Sequence, residues 1–165
     1  EAVDHKRNRV VEFHSLSKMF NMTGWRIGFA VGHAEVIAAL ARVKESVDSG
    51  VFTALQEVAA RALGRGADEL LAGVMAPYAE RRRVIVAALE AAGVEVFPAQ
   101  ATFYVWARVP GDETSLAFCT RVLEERGVVL TPGNGFGPGG EGWFRISLTA
   151  PDERVAEAAG RLEAL

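Results

Sequence analysis

Two hydrophobic periods alternate along this chain, one with the two-residue repeat of a strand and one with the 3.6-residue repeat of a helix. The first period predicts strands at 10–13, 25–31, 94–97, 103–109, 128–131 and 143–148. The second predicts helices at 34–48, 53–63, 68–92, 114–126 and 151–165. Gly73 and Pro77 are expected to bend or break the third helix. This alternation predicts a layered α/β or α+β architecture.

A change of domain is predicted at 64–66, where two glycines end a helix. The chain has 165 residues, enough for one compact domain or for parts of two. We therefore expect one domain over 1–64 and a second over 65–165 that begins with a long connecting helix. The N-terminal residues contain neither an initiator Met nor a signal peptide, so we expect this sequence to come from the middle of a longer protein.

The composition argues against several classes of protein. Half of the residues are apolar and 24% are charged, which is typical of a folded globular protein. The formal net charge is −3, so electrostatics give no reason to expect nucleic acid or an anionic membrane as a partner. No apolar run approaches the roughly 20 residues that span a bilayer. Cys119 is the only cysteine, which excludes an internal disulfide and favours a reducing cytoplasm.

The segment 13–28, FHSLSKMFNMTGWRIG, concentrates residues with useful chemistry. Lys18 lies between two predicted strands, so we expect its amine to be partly withdrawn from water. A desolvated amine beside a cation is more readily neutral, and a neutral amine attacks an aldehyde. The fork of Arg26 and the hydroxyls of Ser15 and Ser17 suit a phosphate. From spacing alone, a solvated Lys and a solvated Arg in a loop remain the commoner arrangement.

The string 15–28 resembles the lysine signature of the class I/II aminotransferases, S-x-S-K-x-x-x-x-x-G-x-R-x-G. The residues at 21–26, NMTGWR, are most similar to the branch that contains the LL-diaminopimelate and aspartate aminotransferase-like enzymes. Met19 departs from the pattern, because a small polar residue is common there. That difference affects a peripheral contact and leaves the lysine in place.

This resemblance implies a role for each matching residue. Lys18 forms the Schiff base with pyridoxal 5′-phosphate and moves the proton between the substrate α-carbon and the cofactor. Ser15 and Arg26 bind the cofactor phosphate, and Ser17 is a weaker candidate for the same contact.

A second motif, Trp143-Phe-Arg-Ile-Ser-Leu148, places Arg145 inside a predicted strand. A buried arginine needs an anionic partner, which could be an internal carboxylate or a ligand. In the same family, an arginine in an F-R-I-S segment binds the substrate α-carboxylate, and Arg145 matches it. The glycine-rich segment 131–137 also resembles the family's loop near the substrate entrance.

The resemblance implies the C-terminal part of the fold-type I, PLP-dependent transferase fold: a piece of the large α/β/α cofactor domain followed by the small α+β C-terminal domain. The implied reaction is a ping-pong transfer of an amino group from an α-amino acid to a 2-oxo acid. A lyase or acyltransferase on the same fold, and a non-catalytic sensor domain of a transcriptional regulator, are the alternatives. The implied parent is a homodimer.

Part of the family's cofactor site has no match in this sequence. The phosphate-binding glycine loop, the stacking aromatic residue, the Asn and the pyridinium Asp all precede the lysine in family members, and a Tyr comes from the second subunit. Asp4 is too close to Lys18 to be that Asp. We therefore expect the 165 residues alone to be inactive and to bind the cofactor weakly or not at all.

Other motifs receive structural interpretations. A dinucleotide-binding interpretation of 133–137 is rejected, because proline and glycine follow it instead of a helix. His5, His14 and His33 lack the spacing of metal ligands, so no metal is expected, and His14 is expected to pack at a strand end. Tyr104 and Trp106 are predicted to be core residues. The run Arg81-Arg82-Arg83 is predicted to be a solvated helix face.

Overall fold

The computed structural model describes residues 10–165, so Asp4 and His5 lie outside the described residues. The predicted mixture of helices and sheets is confirmed. The chain divides into two compact units, and the division falls between Val74 and Met75, inside the long helix. The domain boundary at 64–66 stays a prediction. Each unit is described by itself below.

The first unit is built on an antiparallel pair, β1 (Val11–Ser15) and β2 (Gly28–Gly32). The connection holds a single helical turn, α1 (Leu16–Met19), and a 3₁₀ turn (Thr23–Trp25). The predicted second strand therefore begins later than expected, after Trp25 and Arg26. Leu16, Met22 and Ile27 turn inward and form a small buried cluster with Ala59. This cluster holds the connection in place against the strands.

Two amphipathic helices follow, α2 (Ala34–Val47) and α3 (Thr53–Ala62), close to their predicted bounds. α2 contains no buried residue. Its Val43 and Val47 side chains are 62% and 76% exposed, although valine normally favours burial. The C-terminal part of the predicted apolar face is thus uncovered, whereas Val36, Ile37 and Leu40 are half-buried.

α4 (Ala67–Ala91) runs through both Gly73 and Pro77 as one helix, so of the two predicted outcomes the break is wrong and the bend stays a prediction. A proline ring in a helix crowds the carbonyl of the residue four positions earlier. Here that residue is Gly73, whose backbone adjusts more easily than that of any other residue. The pairing of these two residues explains why the helix continues.

The second unit contains a three-stranded antiparallel sheet in the order β3 (Tyr104–Arg108), β5 (Trp143–Ser147), β4 (Thr131–Pro132). Two helices complete it, α5 (Ser115–Arg126) and α6 (Asp152–Leu162). The Thr114 side chain caps the start of α5, and Gly127 ends it with a left-handed backbone, as a helix C-terminus favours.

The core of this unit lies on one face of the sheet. Alternate residues of β3 and β5 are buried there, and they meet apolar residues from α4, α5 and α6. The central members are Ile85, Leu89, Val105, Ala107, Phe118, Val122, Phe144, Ile146, Val155 and Leu162.

Two predicted strands are shorter in the structure. The run 94–97 lies beside β3, with Phe97 N–H donating to the Trp106 carbonyl, but it forms only the single bridge between Val96 and Ala107. Pro98 has no N–H to continue the ladder. The strand predicted at 128–131 is reduced to β4. Within residues 10–165, no helix combines the length and apolarity needed to cross a membrane.

Leu89 provides a test of this core. It lies on α4 with no exposed surface, so Leu89→Ala should lower the free energy of unfolding by about 2–5 kcal/mol. Leu116→Ala is the matched control, since Leu116 is also helical but 58% exposed. Urea denaturation followed by circular dichroism measures both, and equal effects would contradict the assigned core.

Candidate active site

Lys18 lies on α1, between the two paired strands, and its side chain is exposed. The expectation that it avoids a helix and is withdrawn from water is therefore wrong for this chain. The reason is local. Leu16 and Ser17 occupy the inward side of the single turn, which leaves Lys18 and Met19 on the outward side.

The two serines differ in their surroundings. The Ser15 side chain caps α1, because its Oγ accepts a hydrogen bond from the Ser17 backbone N–H at 3.2 Å. This leaves the Ser15 hydroxyl proton for another acceptor. Ser17 is buried, and its carbonyl accepts from the Thr23 hydroxyl at 3.1 Å, which ties α1 to the 3₁₀ turn. Ser15 is thus the better placed of the two to meet a ligand.

Arg26 follows the 3₁₀ turn in a left-handed conformation, with φ 52° and ψ 48°. Its Nη1 donates to the Thr23 carbonyl at 2.9 Å, and the rest of the guanidinium is exposed. The left-handed region is rare for residues other than glycine, asparagine and aspartate, so the surrounding turn must impose this backbone.

Strand pairing gathers these residues into one connection. Ser15 pairs with Gly28, and Leu16 N–H donates to the Ile27 carbonyl at 3.3 Å, so both ends of the connection are fixed. Packing favours glycine at position 28, because an added Cβ would lie 2.4 Å from the His14 carbonyl oxygen. One amine, one exposed hydroxyl and one guanidinium on a closed connection fit a phosphate-bearing aldehyde in chemical type.

Arg145 lies on β5 in the second unit and is half-buried. Its Cζ is 4.2 Å from the centre of the Tyr104 ring and 4.5 Å from that of Phe136. Its Nε is buried without a hydrogen-bond partner among residues 10–165. No carboxylate among the described residues forms an ion pair with Arg145. Of the two anionic partners that the sequence allowed, an internal carboxylate is therefore absent from this part of the chain.

The prediction that Tyr104 and Trp106 are core residues is wrong. Both are half-buried on the face of the sheet opposite the core. Trp106 is the direct cross-strand partner of Arg145, and Tyr104 is its diagonal neighbour. Strand alternation therefore places both aromatic residues beside the guanidinium.

Phe136 reaches Arg145 from the glycine-rich segment 133–142, which forms two short 3₁₀ turns. The segment closes on itself, because an added Cβ on Gly140 would lie 2.0 Å from the Gly133 carbonyl oxygen. The fully buried Ser115 hydroxyl accepts from Gly142 N–H at 2.8 Å. The Glu141 carboxylate accepts from Ser115 N–H at 2.7 Å, and this bond lowers the pKa of Glu141.

Only Arg83 fits the predicted solvated face of the arginine run. The Arg81 side chain is 17% exposed and donates to the Leu148 carbonyl and to Asp152. Arg82 donates to the Tyr104 carbonyl at 3.2 Å. Arg81 and Arg82 thus attach α4 to the strands of the second unit.

Among the described residues, no group of three His, Cys, Asp or Glu side chains is placed to hold a metal ion. His14 stacks on Phe29 at 4.9 Å and contacts Glu12 at 3.1 Å, consistent with the expected packing role.

Comparison with known proteins decides the family. Residues 2–162 match the model of the family described as aminotransferase class I and II. The chain belongs to this family. The predicted fold, the C-terminal portion of the PLP-dependent transferase fold, is thereby confirmed.

Several relatives are similar to this chain over nearly its whole length. LL-diaminopimelate aminotransferase from Nitratidesulfovibrio vulgaris (strain DP4) is 51% identical over 99% of the chain and 42% of the relative. The protein of the same name from Oleidesulfovibrio alaskensis is 55% identical over 94% of the chain and 40% of the relative. A solved structure, a probable N-succinyldiaminopimelate aminotransferase from Thermus thermophilus, has a TM-score of 0.82 and 42% identity, and the match covers 95% of the chain and 42% of that structure. The chain therefore spans about two-fifths of the length of these relatives.

The close approach of Gly133 and Gly140 can be tested. Gly140→Ala should lower the free energy of unfolding by about 1–3 kcal/mol, because the new methyl group overlaps backbone. Gly139→Ala is the control, since nothing lies within 4 Å of its added Cβ. Thermal unfolding measures both variants, and a Gly140→Ala protein as stable as Gly139→Ala would show that the segment does not close in this way.

Proposed function

We propose that this chain is part of an enzyme that transfers an amino group from an α-amino acid to a 2-oxo acid with pyridoxal 5′-phosphate. The observation that carries the proposal is the joint position of Lys18, Ser15 and Arg26 on one closed connection between β1 and β2. The relatives described above are named aminotransferases, so we favour transamination over the lyase, acyltransferase and sensor alternatives.

The residues of the connection have distinct proposed roles. When bound, pyridoxal phosphate supplies an aldehyde and an electron-withdrawing ring. Lys18 Nζ would hold the group, and the same amine would move the proton at the substrate α-carbon. The Ser15 hydroxyl and the free N–H groups of Arg26 bind the phosphate. Ser17 is a weaker candidate, because it is buried beneath the turn.

Arg145 is the proposed binding residue for the substrate α-carboxylate. Its guanidinium is half-buried, and no carboxylate within residues 10–165 neutralises it. A buried cation without an internal partner favours an anion from outside, and a planar carboxylate matches the fork of an arginine.

We propose LL-diaminopimelate as the amino donor and a 2-oxo acid such as 2-oxoglutarate as the acceptor. The choice of donor rests on the names of relatives that are 50–55% identical to this chain. Both molecules carry carboxylates, which agrees with the role proposed for Arg145.

We further propose that activity requires polypeptide beyond these 165 residues, including a second subunit. The missing pyridinium Asp and phosphate loop are one reason. A second reason is that large apolar side chains of the first unit are exposed: Phe13, Val43, Val47 and Phe52. A cytoplasmic location is part of the same proposal and agrees with the unpaired Cys119 thiol.

The role of Lys18 can be tested without an activity assay. The 165-residue chain is co-expressed with the N-terminal portion of the Nitratidesulfovibrio relative and loaded with pyridoxal phosphate. We expect a visible absorption band and, after borohydride reduction, a cofactor adduct on the Lys18 peptide in mass spectrometry. Lys18→Ala should lose both signals, because no amine remains to hold the aldehyde.

Lys44→Ala is the control, since Lys44 pairs with Asp48 on the surface of α2. An adduct on another lysine, or one that survives Lys18→Ala, would overturn the assignment. Tight stoichiometric binding by the 165 residues alone would instead contradict the need for further polypeptide.

Arg145 is tested by steady-state kinetics of the same complemented enzyme. Arg145→Met should raise KM for the amino acid roughly 10- to 100-fold, because charge-assisted hydrogen bonds to the carboxylate are lost. Arg108→Met is the control, since Arg108 is an exposed cation on β3 that lies over Trp143. An unchanged KM in Arg145→Met would assign this arginine a structural role only.

A further inference from the structure

We propose that Phe136 and Tyr104 are positioning residues that hold the Arg145 guanidinium in one orientation while leaving its N–H groups for a carboxylate. This inference rests on the carboxylate-binding role proposed for Arg145. All the residues concerned belong to the second unit, and their contacts are given directly by the structure.

Aromatic contact has a consequence that a salt bridge would not have. A guanidinium over a ring is attracted to the π-electrons, and this contact sets no negative charge against the cation. Nε of Arg145 is buried and lacks a partner in the described chain. The rings thus fix the cation without neutralising it, and this arrangement reduces the ordering cost that a bound carboxylate would otherwise meet.

Two hydrogen bonds fix the backbone of Tyr104. Its carbonyl accepts from Arg82 Nη1 at 3.2 Å, and its N–H donates to the Thr102 hydroxyl at 3.2 Å. Thr102 has φ +76°, a strained conformation for a β-branched residue. The surrounding contacts therefore impose the backbone direction from which the Tyr104 ring meets Arg145.

Phe136 is held by the glycine-rich segment. Its ring meets Trp106 edge-on at 5.6 Å, and Trp106 in turn stacks against Trp143 at 6.2 Å. The close approach of Gly133 and Gly140 and the hydrogen bonds of Ser115 and Glu141 keep the segment closed. Even so, the Phe136 side chain is 53% exposed. Such exposure is not explained by core packing, whereas contact with Arg145 gives the ring a role.

The test measures the Arg145 Nε–H signal by NMR in the ¹⁵N-labelled 165-residue chain. Arg145→Lys assigns the signal by its disappearance. The signal should carry a ring-current shift and should respond to succinate, added at constant ionic strength against sodium chloride. Phe136→Leu should reduce that shift and raise the apparent Kd for succinate roughly three- to tenfold. Phe136→Tyr, which keeps a ring, should restore both.

Phe97→Leu is the matched control. Phe97 is about as exposed as Phe136, but its ring does not contact Arg145. A backbone ¹H–¹⁵N spectrum confirms that each variant is folded. A Phe136→Leu protein that matches the control in both shift and affinity would overturn the positioning role. If the wild-type signal carries the ring-current shift but ignores succinate, the positioning contacts stand and the carboxylate role of Arg145 fails.

Discussion

The antiparallel pairing of β3 with β5 is the interaction on which the second unit depends. It places Val105 and Ile146 on the core face and Trp106 and Arg145 on the opposite face. A shift of one residue in this register would turn the guanidinium into the core and Phe144 towards solvent. Burial of the apolar face therefore also sets the position of the cation. The same strand pairing thus buries the apolar core and determines which residues lie beside Arg145.

The first unit uses the same principle on a smaller scale. Pairing of β1 with β2 fixes both ends of the connection that carries Lys18 and Arg26, and Leu16 and Ile27 anchor it from within. Among the polar residues of the connection, Ser15 and Thr23 hold the turn by hydrogen bonds, whereas Lys18 and Arg26 are exposed. The apolar cluster and these hydrogen bonds together support the turn that presents the exposed side chains of Lys18 and Arg26.

Much of this arrangement could be predicted from the sequence, because periodicity and glycine or proline signals are local. The bounds of α2, α3 and α5, and the placement of Arg145 within a strand, follow from such signals. The contacts of Phe136 and Tyr104 with Arg145 do not. They depend on strand register and on how the glycine-rich segment closes, and both are set by tertiary packing. The continuity of α4 through Pro77 does not follow either. Taken alone, Gly73 and Pro77 each indicate a helix break. Only their four-residue spacing, which places the glycine where the proline ring crowds the backbone, allows the helix to continue.

The two candidate sites differ in how complete they are within this chain. The rings that contact the Arg145 guanidinium lie in its own unit, as do the hydrogen bonds and the core that hold those rings in place. Lys18 is exposed, and the helix that follows its strand pair has no buried residue. For the role proposed for Lys18, withdrawal of its amine from water, which favours the neutral and nucleophilic form, is therefore expected to come from polypeptide beyond these residues. The ring contacts of Arg145 are thus present in this chain by itself, whereas the desolvation that the proposed role of Lys18 needs is not.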